Sequence, residues 1–145
     1  MNAERDGSET EAGPGGPDQR AAPGPRIWIV NADHWPRAYL RAELIERGYH
    51  ATGFETLRQA AVRLTSPGSA RPALLVLDLH EQGSDEAGRA LFVRHGVPLL
   101  IVAPARYQDD EDSAPLVEIL RRPVAIGDIA DAVDRRGLPR AAQLR

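Results

Sequence analysis

The chain contains no cysteine, and none of its 18 cationic residues is lysine. The first absence removes disulfide frameworks, thiol nucleophiles and zinc knuckles together, and fits a reducing compartment, so the cytoplasm is the expected location. The second is a compositional bias of the source genome, except at Arg122, where the kind of cation matters. Long apolar runs are also missing. None approaches the ~18 residues of a membrane span. Residues 1–25 hold no Val, Ile, Leu or aromatic residue, hence no apolar block of a secretory signal. Nor is there an excess of positive charge. The formal net charge is −3, and Glu4, Asp6, Glu9, Glu11 and Asp18 against Arg5 and Arg20 place all of it in residues 1–25. Acids and arginines balance over the rest, so there is no field that would attract a phosphate backbone, and nucleic acid and membrane are not expected partners. No glycine-rich phosphate loop follows the first apolar run, where Asn31-Ala32-Asp33-His34 stands, which argues against a nucleotide-binding enzyme. No Ser-His-Asp arrangement is suggested either.

What is present is one domain's worth of chain: 145 residues, 42% hydrophobic and 27% charged. Gly13-Pro14-Gly15-Gly16-Pro17 and Pro23-Gly24-Pro25 mark residues 1–25 as a disordered acidic arm that cannot bury enough apolar surface to offset its ordering entropy. From residue 26 to 136 short β-rich runs alternate with helical periodicities, and 137–145 reads as a short tail. The runs Ile27–Val30, Ala73–Leu77 and Val97–Val102 are continuously apolar, as strands covered on both faces of a parallel sheet should be. Tyr49–Phe54 and Leu116–Leu120 are weaker strands.

Helices are predicted over 36–47, with Pro36 in the first turn and Gly48 as C-cap, and after Thr56-x-x-Gln59, a capping box followed by Leu57, Ala60, Ala61 and Leu64. Further helices are expected over Asp85–His95, with Ala87, Ala90 and Leu91 on the buried face, and over Tyr107–Ser113. A last one carries Ile126, Ile129, Ala130 and Val133. Both tryptophans, Trp28 and Trp35, are expected to be buried. Five strands alternating with five helices point to a flavodoxin-like, doubly wound α/β domain of strand order 2-1-3-4-5. In such sheets ligands gather beyond the carboxyl ends of the strands. That confines the functional question to Asn31–His34, Asp78–His80, Ala103-Pro104 and Arg121–Pro123.

Those four loops, with Ile29-Val30 before Asp33-x-x-x-Arg37, Leu75-Val76-Leu77-Asp78-Leu79, and Leu120-Arg121-Arg122-Pro123, resemble a response-regulator receiver domain of bacterial two-component signalling over roughly residues 26–136. The resemblance implies that Asp78 is the phosphoacceptor, a carboxylate nucleophile forming an aspartyl phosphate, and that a histidine kinase or a downstream signalling protein is the partner. It also implies an acidic pocket for Mg²⁺ at the positions of Asn31 and Ala32, neither of which is acidic. Only Asp33 remains to help Asp78 hold a metal, and a hard cation bound through carboxylates should be held weakly or not at all. The phosphate-contacting lysine corresponds to Arg122, whose planar fork is not equivalent to an ammonium. The switch positions, a hydroxyl and an aromatic residue, correspond to Ala103 and Ile119. Together these departures describe a pseudo-receiver, a non-enzymatic interaction module with no attached output domain.

Several residues carry more than one reading. Asp78 is either a working phosphoacceptor in a phosphorelay or a strand-end acid paired with Arg122. Asp33 is either a metal ligand or an N-cap of the first helix. His34 and His80 complete a conceivable transition-metal set with Asp33 and Asp78. The acidic run Asp109–Asp112 and Arg121 form either a solvated face or a docking patch within 106–122.

Overall fold

The computed structural model describes residues 24–80, 85–108 and 116–139. Five strands, β1 (Arg26–Val30), β2 (His50–Phe54), β3 (Leu74–Asp78), β4 (Leu99–Ala103) and β5 (Val117–Arg121), form one sheet of order β2-β1-β3-β4-β5. Every pairing is parallel. Four helices are found among the described residues: α1 (His34–Glu46), α2 (Leu57–Leu64), α3 (Glu86–Arg94) and α4 (Ile126–Arg135). This is the expected doubly wound arrangement.

The apolar runs of the central strands supply both cores at once, because successive side chains point to opposite faces. Trp28, Val30, Leu75, Leu77, Leu99, Ile101 and Ala103 face α2 and α3, where Phe54, Leu57, Ala60, Leu64 and Phe92 close the cluster. Ile27, Ile29, Leu74, Val76, Leu100 and Val102 face α1 and α4, against Leu40, Leu44, Ile129, Ala130 and Val133. With both faces covered, the carboxyl ends of β1, β3 and β4 become the open edge where polar groups can gather.

Local signals account for several boundaries. The Thr56 hydroxyl accepts the Gln59 backbone N–H at 3.1 Å, and the Gln59 side chain accepts the Thr56 N–H at 3.3 Å, so the capping box forms as expected. α1 ends ahead of Gly48, which has a φ of 97°. It begins at His34 rather than Pro36, placing Pro36 inside its first turn. The described structure starts at Gly24 and Pro25, both already buried, so the segment assigned to the arm is ordered by its last two residues. The expected helix over Tyr107–Ser113 lies mostly outside the described residues, as does the acidic run.

Two expectations about burial are corrected. Ala87 and Ala90 are exposed, and α3 instead buries Gly88 and Phe92. The reason is the close approach of α2: a Cβ on Gly88 would lie 2.8 Å from Leu57 Cδ2. The helix therefore turns its glycine, not its alanines, to the neighbour. Trp28 is buried and packs on Phe54 and Phe92. Trp35 is 63% exposed on the outer side of α1.

At the far end from the polar edge, α1 and α4 are joined by charge. Arg47 Nη1 donates to Asp131 Oδ1 at 2.9 Å and to Asp134 Oδ2 at 2.7 Å, and its Nε to Glu43 at 2.9 Å. The Tyr49 hydroxyl donates to Asp134 Oδ1 at 2.6 Å. The hydrogen bond from Tyr49, with the Arg47 guanidinium beside it, holds the Asp134 carboxyl below its ordinary value. A depressed carboxyl pKa contributes stability that is present above the unfolded-state value and lost as pH falls through the folded one. The stability gap between the wild type and Asp134→Asn, read by urea unfolding, is therefore expected to be full at neutral pH and to close below about pH 4. A gap that stays constant to pH 2 contradicts this.

Candidate functional site

The sheet delivers its charged residues to one place. β3 is buried along its length and ends in Asp78, whose side chain is only 11% exposed. Burying a carboxylate is costly unless it is paired and hydrogen-bonded, and three neighbours meet it here. Arg122, one residue past β5, places Nη2 at 2.5 Å from both Oδ1 and Oδ2. The side-chain amide of Asn31, one residue past β1, donates to Oδ2 at 3.3 Å. His80 Nε2 stands 3.7 Å from Oδ1.

Each neighbour is itself positioned. The Arg122 backbone N–H donates to the Ala103 carbonyl at 2.9 Å, continuing the β4–β5 ladder by one residue, and Nη1 reaches the Leu79 carbonyl at 3.4 Å. Asn31 is the one polar residue that is buried among the described residues. Its Oδ1 accepts the Asp33 N–H at 2.9 Å and lies 3.3 Å from His80 Nε2, while its carbonyl accepts from Arg37 Nη1 at 2.7 Å. From the sequence Asn31 is only a missing carboxylate, and Arg37 only part of the motif Asp33-x-x-x-Arg37. In the structure Asn31 braces the loop and Arg37 ties that loop to α1. The signal available was an amide rather than an apolar residue at a strand end, since Asn favours turns that bond their own backbone.

Asp33 occupies the N-cap position of α1, yet its side chain makes no capping hydrogen bond. The capping expectation holds for position only: the N3 residue, whose N–H an N-cap side chain commonly accepts, is Pro36, which has none. Asp33, Asp78, Asn31, His80 and Arg122 all line one cleft of about 390 Å³, walled on its apolar side by Val102, Val124, Ile126 and Ile129. Ala32 is outside it and lines a second cleft, of about 380 Å³, with Glu55, Thr56 and Asp85, on the other side of Asp78 and His80. Ala103 is fully buried and Ile119 partly so, both in the core beneath α2 and α3. The four-residue metal set is not assembled: the His34 ring lies edge-on against Trp35 at 4.7 Å, and no group of three or more His, Asp or Glu side chains suited to a metal is found among the described residues.

No protein-family model and no curated protein matches the chain. Solved structures do. A response regulator receiver protein from Pseudomonas putida superposes with a TM-score of 0.61 at 22% identity, covering 79% of this chain and 99% of its own. A response regulator receiver domain protein from Bacillus halodurans gives 0.60 at 17% identity, over 78% and 96%. The chemotaxis protein CheY4 of Vibrio cholerae gives 0.61 at 13% identity, over 77% and 98%. The chain has the receiver fold. At these identities the likeness is one of backbone, and the chemistry of the receiver-fold cleft in this chain rests on its own residues.

Chemically, an ionised Asp78 offers about four lone-pair directions, and Arg122 and Asn31 donate into three of them. One direction, on Oδ1, is left unoccupied by these donors. Removing Arg122 leaves a mostly buried carboxylate without its cation, so Arg122→Ala is expected to cost about 1–3 kcal/mol of stability. Asp78→Asn in that background should recover part of the loss, giving a non-additive double-mutant cycle by chemical denaturation. Additive effects contradict the pairing.

Proposed function

We propose that this chain is a signal-transduction interaction module, a receiver-fold domain with a degraded phosphorylation site that works by protein–protein contact. The observation that carries this reading is the Asp78–Arg122 pair. The carboxylate at the phosphoacceptor position has its charge neutralised by an arginine from the same chain, on both oxygens. Three further features support it. The positions that would gather anions around a metal hold the amide of Asn31 and the methyl of Ala32. Asn31 Oδ1 is engaged by the Asp33 N–H and by His80. The residues at the switch positions, Ala103 and Ile119, have no polar side-chain atom with which to follow a phosphoryl group.

The donor set is a poor fit for Mg²⁺, which needs an octahedron of oxygens anchored by free carboxylates. Here Asp78 is already paired and Asp33 stands alone. A conformational switch needs a ligand that contacts its two states differently. With neither hydroxyl nor aromatic switch residue, partner binding is constitutive rather than gated. The partner is a kinase or a downstream signalling protein, met on the 106–122 side. There Arg121 is exposed and donates to the Tyr107 carbonyl at 3.2 Å, and charge complementarity sets specificity and on-rate. Residues 109–115, which hold the acidic run, lie outside the described structure.

The competing account is a phosphorelay receiver in which Asp78 takes phosphate from a histidine kinase. What favours it is placement: Asp78 opens into the cleft beside a residue that keeps the lysine's positive charge. Treatment with a small-molecule phosphodonor, with and without Mg²⁺, read by intact mass, separates the two. The expected result is an unchanged mass in both arms; a Mg²⁺-dependent gain of one phosphoryl group, abolished in Asp78→Asn, establishes the phosphorelay account.

Metal titration gives an independent measure. Binding near Asp78 is expected to be negligible below roughly millimolar Mg²⁺. Asn31→Asp with Ala32→Asp is expected to tighten it. Micromolar affinity in the wild type that is lost in Asp78→Asn contradicts the reading.

A further inference from the structure

Apart from the cleft, the most unusual feature of the surface is an aromatic platform at the start of α1. Trp35 and Tyr39 are 63% and 57% exposed. Their rings stack at 5.8 Å with an interplanar angle of 29°, and His34 closes against Trp35 edge-on. The stripe continues down the outer side of the helix through Ala42, exposed, and Ile45, 44% exposed. Large apolar residues left in water as a contiguous group mark a binding surface.

The chain outside the described structure begins at the foot of this same helix. Gly24 packs so tightly on Gly48, just past the end of α1, that a Cβ there would lie 1.8 Å from the Gly48 carbonyl oxygen. The His50 N–H donates to the Pro25 carbonyl at 2.9 Å, fixing the direction of approach. From Gly48 to Trp35 the helix axis runs about 20 Å at 1.5 Å per residue. From Gly24 back to Pro17, about seven residues of polyproline II conformation cover about 22 Å. The segment Pro14-Gly15-Gly16-Pro17 can therefore reach the rings of Trp35 and Tyr39. Proline rings on stacked aromatic side chains are a recurrent mode of recognition that needs no apolar core from the ligand.

We propose that the proline-bearing segment around Pro14 and Pro17 docks in cis on the Trp35–Tyr39 platform. Tethering supports an intramolecular occupant over a second copy, because a short linker gives an effective concentration in the millimolar range.

The absence of cysteine allows one spin label to be placed without ambiguity. The experiment uses the full chain, ¹⁵N-labelled, with Ala12→Cys carrying a nitroxide. The Trp35 indole N–H signal is expected to lose intensity about twofold more than the amide of Val62, which is exposed on α2 on the opposite face of the sheet. Pro14→Ser with Pro17→Ser, both preceding β1 and so neutral to folding, should remove the difference. Equal or absent broadening at the two sites overturns the proposal. So does broadening of Trp35 in a mixture of spin-labelled unenriched chain and unlabelled ¹⁵N chain, which would make a second copy the occupant.

Discussion

A single negative charge at the end of a deeply buried strand organises the polar edge of this protein. β3 is covered on both faces, and the strand delivers Asp78 to a place where a lone carboxylate would be poorly solvated. Its cation and its hydrogen-bond donor come from two other connections, Arg122 after β5 and Asn31 after β1. Those two connections are held in register by the demand of one group. Arg122 is aimed by the sheet itself, through its backbone bond to Ala103, and Asn31 is anchored from α1 by Arg37. The site is thus a property of three strand ends rather than of any one loop.

That organisation bears on what the site can do. Guanidinium and metal ion neutralise a carboxylate in different ways: the metal leaves open coordination positions for incoming oxygens, whereas Arg122 fills its donor directions and brings no such positions. In the proposed reading, the cleft keeps the shape of a phosphate-accepting site while its charges are satisfied internally. Function then moves outward to surfaces that do not change with the state of Asp78.

The sheet was legible in the sequence because its three inner strands are short, unbroken apolar runs, the pattern of a doubly covered strand, with helical periodicities between them. α2 was legible because Thr56 and Gln59 satisfy each other's backbone partners, a purely local event. Where tertiary contact decides, the sequence misled. Spacing on α3 pointed to Ala87 and Ala90, but the helix approaches Leu57 of α2 through Gly88, a residue whose lack of a side chain carries no periodic signal. The role of Asn31 was hidden for a similar reason, since its value depends on Asp78 and His80 being adjacent in space across almost fifty positions of sequence. The pairing of Asp78 with Arg122 was legible as one of two readings of Asp78, because both stand at strand ends of one edge and carry opposite charges. Trp35 was expected inside on composition alone, and its exposure follows from where α1 turns its buried stripe, Leu40 and Leu44.

The contrast between the two tryptophans has an optical consequence. Trp28 sits with its ring centroid 5.0 Å from that of Phe54 and 6.2 Å from that of Phe92, sealed from solvent, whereas Trp35 stands in water. Indole emission from this protein is therefore the sum of a blue-shifted component that a soluble quencher cannot reach and a red-shifted one that it can. The first tracks the integrity of the core and the second tracks only the outer side of α1, so one unmodified sample reports unfolding and surface occupancy as separate colours.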